Sequence, residues 1–265
     1  MKLEFVKINP VENMTVLVKT EINRENYAEI SKFLMEYGNV YCEQVGFIEG
    51  QHLQMMGGEF CGNASRSFAA YLAFQDKNFL KEKNYEITCS GYSKTLSVWV
   101  RRGEKEHQFL SKIAMPEILS MKKEEITVGE RNISVHRVCL EGITHFILEE
   151  KPKTEIVSIF QKYMEKEEYE AFGLIFFEKE KYRMTPYVQV KGISGVWERS
   201  CASGTTALGY YLRENYQMER ANIQQPGGYL EVSLEGEQVF IDGLVEIVAE
   251  GEAIVSIYNF CDTIK

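Results

Sequence analysis

Two cysteines, Cys61 and Cys201, stand in matching surroundings that could support proton transfer at a carbon atom. Each is followed by small residues, by a hydroxyl residue at the fourth place, and by Tyr-Leu at the tenth and eleventh places, in the stretches Cys61–Leu72 and Cys201–Leu212. The two stretches lie about half of the 265-residue chain apart. Two similar halves with one cysteine each are the simplest account, and chance similarity of small residues is the alternative.

Apolar residues recur at helical spacing after each cysteine, which predicts that each cysteine lies at the N-terminus of a helix. Such a terminus offers unpaired N–H groups and the positive end of the helix dipole. We therefore expect a lowered thiol pKa and a binding place for a carboxylate there. If both termini serve one amino acid, one thiolate could remove the α-proton while the other thiol delivers a proton to the opposite face. The amides would stabilise the developing negative charge.

This pattern predicts an amino-acid racemase that needs no cofactor, with Cys61 and Cys201 as acid and base. For a single cysteine, the alternative is a small buried hydrophobic residue. We assign that structural role to the cysteines that lack such surroundings, which are Cys42, Cys89, Cys139 and Cys261.

The composition narrows the class of protein. The net charge of −9 and the lack of a basic stripe disfavour a nucleic-acid surface. No apolar run reaches the length of a membrane span and no signal-peptide pattern opens the chain, so we expect a cytoplasmic protein with free thiols. No CxxC pair occurs and the four histidines are scattered, which argues against a metal site.

Many short strand patterns and few helical ones predict an α+β protein and argue against a doubly wound parallel sheet. Besides the two helices after the cysteines, the periodicity predicts helices over residues 23–37 and 155–169. The polar stretch 120–132 is the predicted inter-domain connection. We expect one domain over 1–119 and a second over 120–265, whose last strand could return to the first half.

Residues 58–63 (Gly-Glu-Phe-Cys-Gly-Asn) and 197–205 (Trp-Glu-Arg-Ser-Cys-Ala-Ser-Gly-Thr) resemble the two cysteine motifs of the diaminopimelate epimerase superfamily. The second motif has a compact form similar to that of proline racemases. Segments 9–15, 42–49 and 225–228 extend the resemblance over the whole chain. They are closest to the cofactor-independent histidine racemases of staphylopine-type metallophore biosynthesis. The resemblance implies two pseudo-symmetric domains, each a curved, mostly antiparallel sheet around a central helix, with the active site between them.

The resemblance also implies roles for individual residues. Cys61 and Cys201 would be the acid/base pair, and backbone amides would hold the substrate carboxylate at Gly62, Asn63, Ala202 and Ser203. Asn13 and Gln44 match positions that line the substrate pocket.

Three further residues have alternative readings. Glu198 could bind the substrate ammonium or assist Cys201. His145 matches a family histidine near the first cysteine and would help to deprotonate Cys61, or it is a structural histidine. Glu43 is a candidate acceptor for an imidazole N–H, or an ordinary surface glutamate.

Several alternatives stay open at this point. Diaminopimelate epimerases carry Asn-Pro before the histidine, where this chain has Ile143-Thr144, and they carry a longer segment before the first cysteine. These departures favour histidine over diaminopimelate, lanthionine or another amino acid as substrate. A protein of a different class, with a thiol redox switch, would use the same cysteines. A pyridoxal enzyme lacks a supporting lysine context. The resemblance is compatible with a homodimer, although the sequence leaves the oligomeric state open.

Overall fold

The structure, a computed structural model, describes residues 1–128, 131–167, 169–191 and 195–255. It has the sheet-dominated α+β architecture that the sequence predicts. The chain forms two compact units, one from Met1–Ser111 with the stretch that begins at Leu244, and one from Lys112–Gly243. The sequence analysis drew its boundary at 119/120. The two divisions differ because two strands each begin in one unit and end in the other.

The first unit is built mainly on strands β1–β6 and two helices. The end of a long strand, β16, returns to it and pairs antiparallel with β1. The elements that begin in this unit are β1 (Lys2–Asn9), β2 (Thr15–Val18), α1 (Tyr27–Met35), β3 (Gln44–Glu49), β4 (His52–Met55), α2 (Gly62–Gln75), β5 (Glu82–Cys89), β6 (Leu96–Arg102) and β7 (Gln108–Ala114).

The second unit likewise consists of strands and two α-helices. Its elements are β8 (Ile118–Val128), β9 (Arg131–Leu140), β10 (Ile143–Leu148), α3 (Thr154–Lys166), β11 (Ala171–Glu178), β12 (Arg183–Val190), β13 (Val196–Trp197), α4 (Ala202–Tyr216), β14 (Arg220–Gln225), β15 (Gly228–Glu235) and β16 (Gln238–Ile254).

Both units follow the same order of strand pairing. An antiparallel pair (β1–β2 or β9–β10) is followed by a parallel neighbour reached through a helix (β2–α1–β3 or β10–α3–β11). A second antiparallel pair then leads through the cysteine-bearing helix to a second parallel neighbour (β4–α2–β5 or β12–α4–β14). An antiparallel hairpin closes each series. The internal repeat predicted from the cysteine stretches is therefore confirmed at the level of topology.

The helices that follow the cysteines lie inside their units. Eleven of the fourteen residues of α2 are buried, and α2 packs against β2, β5 and β6. Helix α4 packs against β8–β11, β14 and β15. A helix that is buried on most sides needs small and apolar residues all round, which explains the Ala, Ser, Thr and Gly content of both cysteine stretches. The expected central helices are confirmed.

The other two helices each cover one side of a sheet. Tyr27, Ile30 and Leu34 of α1 are buried against β1–β3, and α3 buries Phe160 and Met164 against β9–β12. Helix α1 lies within the predicted range 23–37, and α3 begins one residue before the predicted range 155–169 and ends within it. Among the described residues, no helix is long and apolar enough to span a bilayer.

The predicted inter-domain connection is wrong. Residues 120–128 belong to β8 and pair antiparallel with β9. Lys122, Lys123 and Glu125 are exposed on this strand pair. The half-buried Glu124 forms an ion pair with Arg137 at 2.8 Å. Among the side chains described for residues 120–127, Ile126 is the buried one. Because the others are polar or partly exposed, the stretch resembles a linker in sequence.

The close approach of α4 to β15 generates a stability prediction. A Cβ atom at Gly209 would lie 2.3 Å from Val232 Cγ2, inside the second unit. Helix propensity alone would make Gly209→Ala stabilising by up to about 1 kcal/mol, whereas overpacking costs about 1–3 kcal/mol. We expect a net destabilisation in urea unfolding. Gly38→Ala, where no atom lies within 4 Å, should change the free energy of unfolding by less than about 0.5 kcal/mol. A Gly209→Ala protein at least as stable as the parent would contradict this packing.

Candidate active site

Cys61 is the N-cap of the buried helix α2. Its backbone is extended (φ −131°, ψ 111°), and its sulfur accepts a hydrogen bond from Ala64 N at 3.4 Å. The hydroxyl of Ser65 donates to the Cys61 carbonyl at 2.8 Å. A side chain that caps the third helical N–H leaves the first two, at Gly62 and Asn63, without an acceptor in the helix.

Cys201 repeats this geometry at the start of α4. Its backbone has φ −134° and ψ 110°, and its sulfur accepts from Gly204 N at 3.3 Å. Thr205 at the fourth place donates its hydroxyl to the Cys201 carbonyl, as Ser65 does for Cys61. The hydroxyl residue shared by the two sequence stretches therefore has one structural function, which is to hold the carbonyl of the capping cysteine.

A chain of amide side chains leads to the Cys61 thiol. The thiol donates to Gln44 Oε1 at 2.9 Å, and Gln44 Nε2 donates to Asn13 Oδ1 and Thr15 Oγ1, both at 2.7 Å. Asn63 Nδ2 also donates to Asn13 Oδ1, at 3.2 Å. Three residues predicted to belong to the site, Asn13, Gln44 and Asn63, thus meet around Cys61.

The two ends of this chain fix its direction. Arg66, which is fully buried, can only donate, and its Nη1 donates to Asn63 Oδ1 at 3.1 Å. Glu43 as a carboxylate can only accept, and it receives Asn13 Nδ2 at 2.7 Å. With both ends set, the amides turn so that Gln44 presents an oxygen to Cys61. This arrangement matches a protonated Cys61 thiol.

Cys201 has different polar partners. It is 5% exposed, and its pKa is raised well above the ordinary value, first by burial and then by the neighbouring, hydrogen-bonded Glu198. The hydroxyl of Ser203, 3.5 Å from the sulfur, and the Gly204 amide act in the opposite direction. The lowered pKa predicted from the helix terminus is therefore wrong for Cys201, because desolvation of the thiolate outweighs the terminus.

His145 contacts Ser203. Its ring Nε2 lies 3.0 Å from Ser203 Oγ, and the ring is fully buried, which lowers its pKa to about 3. Strand pairing places it opposite Gly173, where a Cβ atom would lie 2.2 Å from Nδ1, so the missing side chain makes room for the ring. The sequence analysis expected an imidazole that helps to deprotonate Cys61. This expectation is corrected, because the ring is a very weak base and its hydrogen-bond partner belongs to the Cys201 motif.

Two positioning residues escaped the sequence analysis. Gln225, 3% exposed, accepts from Cys201 N at 2.8 Å and donates to Thr205 Oγ1 at 2.9 Å, so it fixes the start of α4. Arg66 orders the amides around Cys61. A signal existed for both, since Arg66 is a charged residue within an otherwise small-residue motif and Gln225 opens the Gln-Pro-Gly-Gly segment.

The other described cysteines fit the structural role assigned to them. All five described cysteines are free thiols, and burial raises the pKa of Cys42 to about 12 and also raises that of Cys89. Cys139 accepts a hydrogen bond from Thr144. Cys261 lies outside the described residues. Within the described part of the chain, no three His, Cys, Asp or Glu side chains are grouped so that they could hold a metal ion.

Solved structures of low sequence identity share the fold. A predicted epimerase from Pseudomonas aeruginosa superposes with a TM-score of 0.69 at 11% identity, covering 96% of this chain and all of the other. A probable proline racemase from Agrobacterium radiobacter gives a TM-score of 0.68 at 10% identity, covering 98% and 94% of the two chains. These likenesses confirm the expected racemase/epimerase fold class.

Relatives with higher identity extend over nearly the whole chain. A histidine racemase from Fusobacterium nucleatum is 51% identical over 260 residues, which cover 96% of this chain and 97% of the relative. A histidine racemase from Staphylococcus aureus is 30% identical over 276 aligned positions, covering 96% and 98%. The domain family described as histidine racemase CntK N-terminal domain matches residues 2–254. This chain belongs to that histidine racemase family.

Proposed function

We propose that the protein interconverts L- and D-histidine by proton transfer at the α-carbon, without a cofactor. The observation that carries the proposal is the pair of thiols that cap two buried helices with the same backbone geometry, in a chain whose full-length relatives are named histidine racemases. Inversion at carbon needs two proton-transfer groups on opposite faces of the substrate, and the chain offers two equivalent ones.

Cys61 and Cys201 are the proposed acid and base. One sulfur, as thiolate, takes the α-proton and becomes a thiol, while the electron pair of the broken C–H bond passes toward the substrate carboxylate. The other thiol gives its proton to the opposite face and is left as a thiolate. In the reverse direction the two cysteines exchange roles, because the enantiomers are mirror images at this carbon.

The substrate carboxylate is the group that the helix termini are suited to bind. The amides of Gly62 and Asn63, and those of Ala202 and Ser203, occupy the first two positions of their helices. Amides at these positions lack intrahelical acceptors and carry the positive end of the dipole. They stabilise the charge that accumulates on the carboxylate as the α-proton leaves.

Glu198 is the proposed proton acceptor for Cys201. Burial opposes a free thiolate at this sulfur, and Glu198 is hydrogen-bonded to it. A carboxylate that is hydrogen-bonded to the thiol can take its proton when the substrate is bound, so the sulfur becomes a base only in the loaded site. This role, rather than binding of the substrate ammonium, is the one that the contact favours.

Glu43 is the proposed contact for the imidazole ring. It is partly exposed and is held by Asn13, which also belongs to the amide chain at Cys61. A carboxylate in this position can accept an imidazole N–H while it keeps its bond to Asn13.

The proposed setting is the cytoplasm, where free thiols persist, with a free amino acid as the partner molecule. The homodimer that the family resemblance allows is tested by measuring the mass of the purified protein in solution by light scattering.

Incubation of the protein with L-histidine in D₂O should place deuterium at the α-carbon while D-histidine forms, since the proton delivered by the second thiol exchanges with solvent. Chiral chromatography with mass detection measures both. Absence of isotope in histidine together with turnover of diaminopimelate would move the proposal to a different substrate. Absence of exchange in every amino acid would remove the racemase assignment.

Cys61→Ser and Cys201→Ser should each lower histidine racemisation by at least about 10²-fold, because a hydroxyl is a far weaker acid than a thiol and does not ionise to a usable base near neutral pH. Cys139→Ser is the matched control, since Cys139 is a free, partly exposed thiol outside both helix termini. Its rate should equal that of the parent. Full activity in either of the first two variants would exclude that cysteine from proton transfer.

Glu43→Gln should raise the KM for histidine by about 10-fold or more, since a hydrogen bond to a charged group contributes about 1.5–3 kcal/mol. The glutamine oxygen can still accept from Asn13, so the fold around Cys61 should persist. Steady-state kinetics in both directions measure the change. An unaltered KM would identify Glu43 as a structural residue.

A further inference from the structure

Ser203 is placed between a buried imidazole and a candidate catalytic sulfur. Its Oγ lies 3.0 Å from His145 Nε2 and 3.5 Å from Cys201 Sγ. All three residues belong to the second unit. A hydroxyl has one hydrogen to donate, so it can donate to the imidazole or to the sulfur but not to both.

The other ring nitrogen of His145 decides between these two arrangements. Nδ1 is buried and has no hydrogen-bond partner among the described residues. A neutral imidazole carries its proton on one nitrogen only, and a buried N–H left unpaired is rarer in proteins than a buried acceptor left unpaired. The proton therefore belongs on Nε2, where it has an acceptor. The ring is neutral at neutral pH, since burial lowers its pKa to about 3.

With the proton on Nε2, His145 donates to Ser203 Oγ. The hydroxyl hydrogen of Ser203 is then free to turn to Cys201. A donor aimed at sulfur favours the thiolate over the thiol. This donor acts against burial and against Glu198, both of which favour the thiol.

We propose, on the basis of the function proposed above, that Ser203 and His145 are positioning residues for Cys201. The Ser203 hydroxyl donates a hydrogen bond to the Cys201 thiolate, and the neutral His145 ring fixes the direction of that hydroxyl. At Cys61, by contrast, the side chain of Gln44 presents an acceptor to the thiol.

The first unit supplies an internal control. The residue two places after Cys61 is Asn63, whose side chain bonds to Asn13 and Arg66. A change at Ser203 alters no contact described for Cys61. The groups that face the Cys201 sulfur are the Glu198 carboxylate, the Gly204 amide and the Ser203 hydroxyl, with the His145 ring behind that hydroxyl.

The test is the pH dependence of thiol alkylation in the full-length, reduced protein without substrate. Iodoacetamide labelling rates are followed for the Cys201 and Cys61 peptides by mass spectrometry. Ser203→Ala should move the Cys201 midpoint upward by about one pH unit or more, because a hydrogen bond to a charged group is lost. Ser203→Thr, which keeps the hydroxyl, should restore a midpoint close to the parent value.

The midpoint of Cys201 alkylation distinguishes a hydrogen-bonding role of Ser203 from a purely structural one. If the substitution merely loosened the helix terminus, labelling rates would change at every pH and the midpoint would stay in place. Ser203→Thr would then show the same change as Ser203→Ala. An unchanged Cys201 midpoint in Ser203→Ala would overturn the proposal. So would an equal shift of the Cys61 midpoint.

His145 is tested by a pair of substitutions of similar length. His145→Gln retains an amide donor near the Nε2 position and should keep most of the parent midpoint. His145→Met lacks a donor and should shift the Cys201 midpoint in the same direction as Ser203→Ala. Equal midpoints in the Gln and Met variants would overturn the role of His145 in directing the hydroxyl.

Because alkylation needs no turnover, this proposal and the proposed function fail separately. Suppose that Ser203→Ala shifts the Cys201 midpoint while the parent protein racemises no amino acid. This result would support the hydrogen bond and overturn the racemase. Racemisation by the parent with an unmoved midpoint would support the racemase and overturn the role of Ser203.

Discussion

The hydrogen bond from a helix amide to a cysteine sulfur is the constraint on which the arrangement of both sites depends. In each unit the sulfur occupies the N-cap and accepts from the third residue of the helix. The helix itself cannot shift, because strands of the same unit surround it. The position of each thiol is therefore set by the packing of a whole unit, which is the rigidity that proton transfer at a single carbon atom requires.

A common frame holds the two thiols in different chemical surroundings. Cys61 donates to an amide oxygen, a neutral acceptor whose orientation is fixed from both ends by Arg66 and Glu43. Cys201 is buried beside the Glu198 carboxylate, with a hydroxyl on its other side. The backbone geometry of the two caps differs by only a few degrees. The difference in surroundings thus comes from side chains around the frame, and duplication of the fold did not require duplication of the electrostatics.

The buried polar groups carry a cost that their partners must offset. Arg66 is fully buried, and an isolated buried guanidinium would be strongly unfavourable. Its donors reach Asn63 and the Ser111 carbonyl inside the first unit. A network of this kind stabilises one arrangement of amides over its flipped alternatives, since each amide has one donor and one acceptor side. These buried polar contacts therefore fix the orientation of the Gln44 amide.

The sequence by itself determined the features that short stretches encode. Apolar spacing and small residues after each cysteine predicted α2 and α4, and the similarity of the two stretches predicted a repeated unit, because helix periodicity and capping depend on neighbouring residues. The resemblance of their segments to a known family also identified most of the candidate site residues.

The tertiary structure decided what those residues touch. Gln44 reaches Cys61, Gln225 reaches the Cys201 amide and His145 reaches Ser203 only because strand register brings distant positions together. The raised pKa of Cys201 and the pairing of the polar stretch 120–128 were inaccessible to sequence reasoning for the same reason. Burial and strand partnership are properties of the assembled unit, and no local pattern contains them.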